Sequence, residues 1–148
     1  MTKTTMPRAP SVLRRVGWGL VLLAAARLAA AQSPEQAAQR AAESWLALVD
    51  SARYAESWTQ AAVAFRAAVS QGAWDTTMAR VRGPLGATRS RGLLGAQYST
   101  SLPGAPPGEY VVLQFRTVFA GRETPAVETV VPMKEPDGTW RVSGYFIR

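Results

Sequence analysis

Ala126-Val127-Glu128-Thr129-Val130-Val131-Pro132-Met133-Lys134-Glu135, Pro136-Asp137-Gly138-Thr139 and Trp140-Arg141-Val142-Ser143-Gly144-Tyr145-Phe146-Ile147-Arg148 together decide the fold. Two runs rich in β-branched and aromatic residues flank a turn with the composition of a tight hairpin. Upstream, Glu109 to Ala120 is a third such run, and Gly121 to Pro125 reads as its turn. A fourth spans Thr88 to Leu102, with Pro103-Gly104-Ala105-Pro106-Pro107-Gly108 as a loop after it. From Pro84 onward the apolar period is two, so four antiparallel strands in a meander are predicted. Alternation assigns one apolar face to Leu94, Ala96, Val111, Leu113, Phe115, Phe119, Val127, Val131, Met133, Trp140, Val142 and Phe146. Such a face needs a cover.

The cover lies upstream, where the period is three to four. Ser33-Pro34-Glu35-Gln36 is a helix start: Ser33 caps, Pro34 fits the first turn and Gln36 completes a capping box. Ala38, Ala41, Ala42, Trp45, Leu48, Val49 and Ala52 recur at helical spacing, and Asp50-Ser51-Ala52-Arg53 reads as a break. A second helix is expected from Tyr54 to Val69, with Trp58, Ala62, Phe65 and Val69 inward. Ser70 caps a third, carrying Trp74, Met78 and Val81, which Gly83-Pro84 stops. Trp45, Trp58, Trp74 and Trp140 all fall on apolar stripes, as core residues do. The fold class is α+β: three helices packed on a four-stranded antiparallel curved sheet.

Residues 1–31 read differently. Lys3, Arg8, Arg14 and Arg15 form a basic start without acids, Val16 to Ala26 is apolar, and Ala29-Ala30-Ala31 supplies small residues before Gln32. This is the order of a secretory signal peptide, with cleavage expected between Ala31 and Gln32. The apolar run is too short for a spanning helix, which needs about 20 residues. Residues 32–148 are then a single exported domain, periplasmic or secreted, with no transmembrane segment. The whole chain carries +7, but twelve basic against ten acidic side chains leave only +2 after Ala31. The basic balance therefore belongs to targeting and argues against nucleic acid as a partner. The chain has no Cys and no His. Disulfides, zinc sites built on those residues, and nucleophilic sites that need a His are excluded. No dinucleotide, phosphate-loop or calcium-loop motif occurs, so no cofactor or metal is expected.

Helices followed by an antiparallel meander resemble the nuclear-transport-factor-2-like, or cystatin-like, cone layout, which hosts enzymes, binders and scaffolds alike. A closer resemblance rests on four stretches. They are Trp45-Leu46-Ala47-Leu48-Val49-Asp50 with Tyr54-Ala55-Glu56-Ser57-Trp58; Phe65-Arg66-Ala67-Ala68-Val69-Ser70; Arg82-Gly83-Pro84-Leu85-Gly86 with Ser90-Arg91; and the run from Tyr98 to Tyr145. On these the chain resembles a family of bacterial exported proteins called domain of unknown function 4019. Pro107 departs from that family's tendency to place an acid before the glycine. The family has no established activity, so the resemblance implies no catalytic residue.

Two candidate sites follow from the residues. Alternation places Gln97, Gln114, Arg116, Glu128, Ser143 and Tyr145 on the uncovered sheet face. An unslipped meander sets Arg116, Val130 and Tyr145 in one row, with Glu128 diagonal to Arg116 and Tyr145. A carboxylate, a guanidinium and a phenol suit a polar ligand, and Glu128 with Tyr145 suits acid–base work of the isomerase or hydratase kind. Pro132 inside a strand signals a bulge. The second candidate is Arg80, Arg82, Arg89 and Arg91, in a stretch without acids from Thr76 to Gly108, suited to phosphate or carboxylate on an envelope partner. Both compete with the plainer reading of solvated surface charge. The leading expectation is a non-enzymatic exported domain that binds a small ligand or an envelope protein. Ligand, partner and oligomeric state stay open.

Overall fold

The computed structural model describes Thr2 and residues 31–148, and Ala31–Arg148 forms one unit. The expected signal segment before Ala31, Thr2 apart, lies outside the described residues. Helix α1, Pro34–Asp50, starts as its capping box requires. Ser33 Oγ accepts from the Gln36 N–H, and the Gln36 side chain accepts from the Ser33 N–H. It ends in a Schellman turn, where the Arg53 N–H donates to Leu48 O at 2.9 Å and the Ala52 N–H to Val49 O. Ala52 adopts φ +56°, a place usually given to glycine.

The second expected helix is two helices, α2 (Tyr54–Gln60) and α3 (Val63–Ala68), so the described chain has four rather than three. Ala61 and Ala62 between them are extended and fully buried. The Ala62 N–H donates to Val142 O at 2.8 Å, so the sheet takes a donor that a continuous helix would need. Helix α4, Gln71–Arg82, is capped by Ser70 and followed by Gly83, as expected. No helix among the described residues is long and apolar enough to cross a membrane.

Strands β1 (Thr88–Ser99), β2 (Tyr110–Phe119), β3 (Ala126–Lys134) and β4 (Trp140–Ile147) pair antiparallel in chain order. The helices cover one face, and the core joins Trp45, Leu46 and Val49 of α1 to Trp74, Met78, Leu113, Phe115 and Val130. Trp58 and Trp140 pack at its margin. The indoles are also bonded: Trp45 donates to Ser57 O at 2.8 Å and Trp74 to Ser57 Oγ at 2.9 Å.

The facing of β3 and half of β4 is the reverse of the expectation. Arg116 pairs with Val127, and Val130 with Leu113 on one side and Tyr145 on the other. The β2–β3 connection closes early because Gly121 is held by the chain after α4: its N–H donates to Leu85 O at 2.8 Å, and a Cβ there would collide with Pro84 O. The offset from the expected pairing is odd, so every β3 side chain changes face. Glu128 therefore points under the helices, while Val127, Val131 and Met133 point away. The bulge anticipated from Pro132 lies on β4 opposite it: Val131 pairs with Gly144 and Pro132 with Val142, leaving Ser143 extra. Past this bulge Tyr145 faces the helices and Phe146 is 58 % exposed. A second bulge at Leu94 removes that residue from the covered face.

Candidate functional site

Under the helices, an ionic network crosses from α1 to the sheet. Glu128 is 0 % exposed and sits at its inner end. Its Oε1 accepts from Arg91 Nε at 2.8 Å and from the Thr117 hydroxyl, and its Oε2 accepts from the Tyr145 hydroxyl. These contacts follow from register: Thr117 lies between Arg91 and Ala126, and Glu128 is diagonal to it. Arg91 also reaches the last residue of α1, donating from Nη1 and Nη2 to both oxygens of Asp50 at 2.7 and 2.9 Å. Such a fork is the geometry in which arginine binds carboxylate best. Arg82 from α4 donates to Asp50 Oδ1 at 2.8 Å, and Thr88 donates to the same oxygen at 2.9 Å. The Arg82 guanidinium lies 4.4 Å from the Phe119 ring centroid, so it gains a cation–π contact.

Two carboxylates and two guanidinia balance within this network. Burial opposes the charge on Arg91, but Asp50 and Glu128 outweigh it and raise its pKa. Burial likewise disfavours the Asp50 anion, yet the hydrogen bonds and charge of Arg91, with Thr88 and Arg82, hold its carboxyl below the usual range. Burial, and then the Glu128 carboxylate, push the Tyr145 phenol up, so it stays a donor. With three donors on its two oxygens and no exposure, Glu128 is an enclosed acceptor.

The structure divides each group of residues singled out from the sequence. Glu128 and Tyr145 do meet, but inside. Gln114 and Arg116 are exposed on the opposite face and Gln97 on edge strand β1, away from the carboxylate. The arginines divide as well: Arg82 and Arg91 turn inward to Asp50 and Glu128, while Arg80 and Arg89 are exposed. Asp50, Thr88 and Thr117 were not singled out. For Thr117 a signal was present, because it interrupts the apolar alternation between Phe115 and Phe119 just as Glu128 interrupts that of β3. Polar residues on a buried phase imply partners on the same phase.

A second feature is a groove of about 370 Å³ between α3, the loop at Gly104–Pro106 and the bulged part of β4. Ala64, Phe65, Ala68 and Val69 form one wall, and Ser143 to Phe146 run along its floor. Phe65 is braced edge-on against Trp74, with ring centroids 5.1 Å apart. On the other side the Tyr110 hydroxyl donates to Pro106 O at 2.5 Å and holds the loop down. No lining residue is an acid, a lysine or an arginine. Tyr145 borders both features: it lines the groove, and its hydroxyl donates to Glu128.

No curated protein and no solved structure matches the chain. A family model does, over residues 41–145, which takes in α1 from its second turn, every strand up to Tyr145, the whole ionic network and most of the groove. The chain belongs to the family described as Protein of unknown function (DUF4019).

Proposed function

We propose that this protein is exported by a cleaved N-terminal signal and acts as a binding module, with a cone-like curved sheet as its frame and an apolar ligand in the groove beside α3. The groove is the observation that carries the reading: it is open, uncharged, and walled by aromatic and aliphatic side chains with a few polar backbone groups. The ionisable side chains that would serve an enzyme are instead bound to one another. Glu128 is wholly enclosed, with each oxygen engaged, so acid–base chemistry on a substrate finds no free carboxylate there. The basic start, apolar run and Ala29-Ala30-Ala31 support export.

The test fills the groove. Ala68 is exposed and lines it, so Ala68→Trp adds bulk without disturbing the core. The wild-type chain should enhance the fluorescence of a neutral apolar dye such as Nile red, and A68W should lose at least tenfold in dye affinity with an unchanged melting curve. Equal dye binding by both proteins would remove the groove from the account. Mass spectrometry of the exported protein should find Gln32 at its N-terminus.

A further inference from the structure

The groove's floor is a strand edge, and part of its backbone is unpaired. Val127 and Arg148 exchange both N–H···O bonds, at 3.0 Å each. In an antiparallel ladder such pairs alternate with pairs whose backbone groups point away from each other. The register Val130↔Tyr145 and Glu128↔Ile147 therefore turns the N–H and C=O of Tyr145 and Ile147 outward, on the side of β4 that has no neighbouring strand. No described residue hydrogen-bonds these four groups. The chain itself uses the same edge further along, where extended Ala61-Ala62 lies beside β4 and Ala62 bonds to Val142 O at 2.8 Å. After Ala62 the chain leaves the edge to form α3, and the groove occupies the side of β4 that it vacates.

From this edge and these walls, and resting on the binding reading above, we infer that the ligand is an extended, uncharged, apolar peptide segment that pairs with β4 as a fifth strand. The open backbone groups supply hydrogen bonds that a peptide can return and a hydrocarbon cannot. The absence of charge in the lining fixes the partner's chemistry, since a charged side chain would lose its hydration there without a counter-charge. Side chains of a paired strand alternate. One set would meet Phe65 and Val69, the other Pro106 and Phe146. The free edge of β1 offers no such uncharged groove: the hollow beside Leu93 and Leu94 is lined by Arg91 and Arg116 as well.

The probe is a capped octapeptide of alternating valine and threonine, with two analogues N-methylated at every second amide along one edge or the other. Titration against the full chain, read by fluorescence anisotropy, should show binding of the parent and of one analogue. The other analogue, blocked on the edge that faces β4, should bind at least tenfold more weakly, the loss of about 1.4 kcal/mol in hydrogen bonding. Ile147→Pro removes one outward N–H and no ladder bond, so it should keep the melting curve and bind the parent at least tenfold more weakly. If both analogues bind as well as the parent, pairing is refuted and the apolar groove stands. If the dye binds and no peptide does, the inference fails and the binding reading survives. If neither binds, both fail. A dimer at the titration concentration that excludes the parent peptide would give the edge to a second copy and overturn the inference.

Discussion

Arg91 ties the helical layer to the sheet, because one guanidinium holds carboxylates from α1 and β3. Removing the inner carboxylate leaves that guanidinium half-partnered away from water. Glu128→Gln should cost about 3 kcal/mol in urea unfolding, the low end for breaking a buried pair because Asp50 still holds Arg91. A double-mutant cycle separates this arrangement from the one alternation suggests. Arg91 and Glu128 should couple by about 2 kcal/mol, while Arg116 and Glu128, on opposite sheet faces, should add within about 0.5 kcal/mol. The reverse order would put Glu128 on the uncovered face. The network also sets a pH response at each end. Asp50 has a lowered pKa when folded, so the unfolded chain binds more protons as pH falls below about 4 and this contribution is lost there. Tyr145 has a raised pKa when folded, so its contribution is complete below about pH 10 and is lost as pH rises through the folded value. Melts of the wild type and of Tyr145→Phe should diverge less at pH 11 than at pH 7, since the variant has no phenol to titrate.

Among the elements, α1 presents the clearest test, because Asp50 is its last residue and the turn after it is strained. Ala52 occupies the left-handed region that glycine adopts freely. Ala52→Gly should stabilise the protein by about 1 kcal/mol, seen as a higher urea midpoint with an unchanged slope. A loss instead would mean that the Schellman turn is not formed. The limits of this helix were legible from Ser33-Pro34-Glu35-Gln36 and from the break at Asp50-Ser51-Ala52-Arg53, and the four strands were legible from their alternation. Local chemistry carries that information. Register is set by non-local contact, and here the sequence reading went wrong. Gly121 seats against Pro84 and Leu85, some 35 residues back in the chain, and nothing near Gly121 announces it. The split of the second helix has the same origin, since its cause is Val142 on β4. For the candidate site, the residue types were legible and their meeting was not. Glu128 and Tyr145 were identified as partners from spacing alone, but an odd offset in β3 and one extra residue in β4 turned both inward.

For the molecule as a whole, the covered sheet face and the β4 edge have different work. The covered face carries the core and the ionic network. The β4 edge carries a groove without charge. This division lets a small domain without disulfides tie its helices to its sheet through Arg91 and still leave one apolar surface open. The division is the central claim, and chemical-shift mapping tests it most directly. The full chain, isotopically labelled, is titrated with the same neutral apolar dye, and each backbone amide is followed. The largest shifts should gather on α3, at Gly104–Tyr110 and along Ser143–Phe146, with Gln114, Arg116 and Glu128 nearly still. Shifts centred on Gln97, Gln114 and Arg116 instead would place the binding surface on the open sheet face and contradict the account.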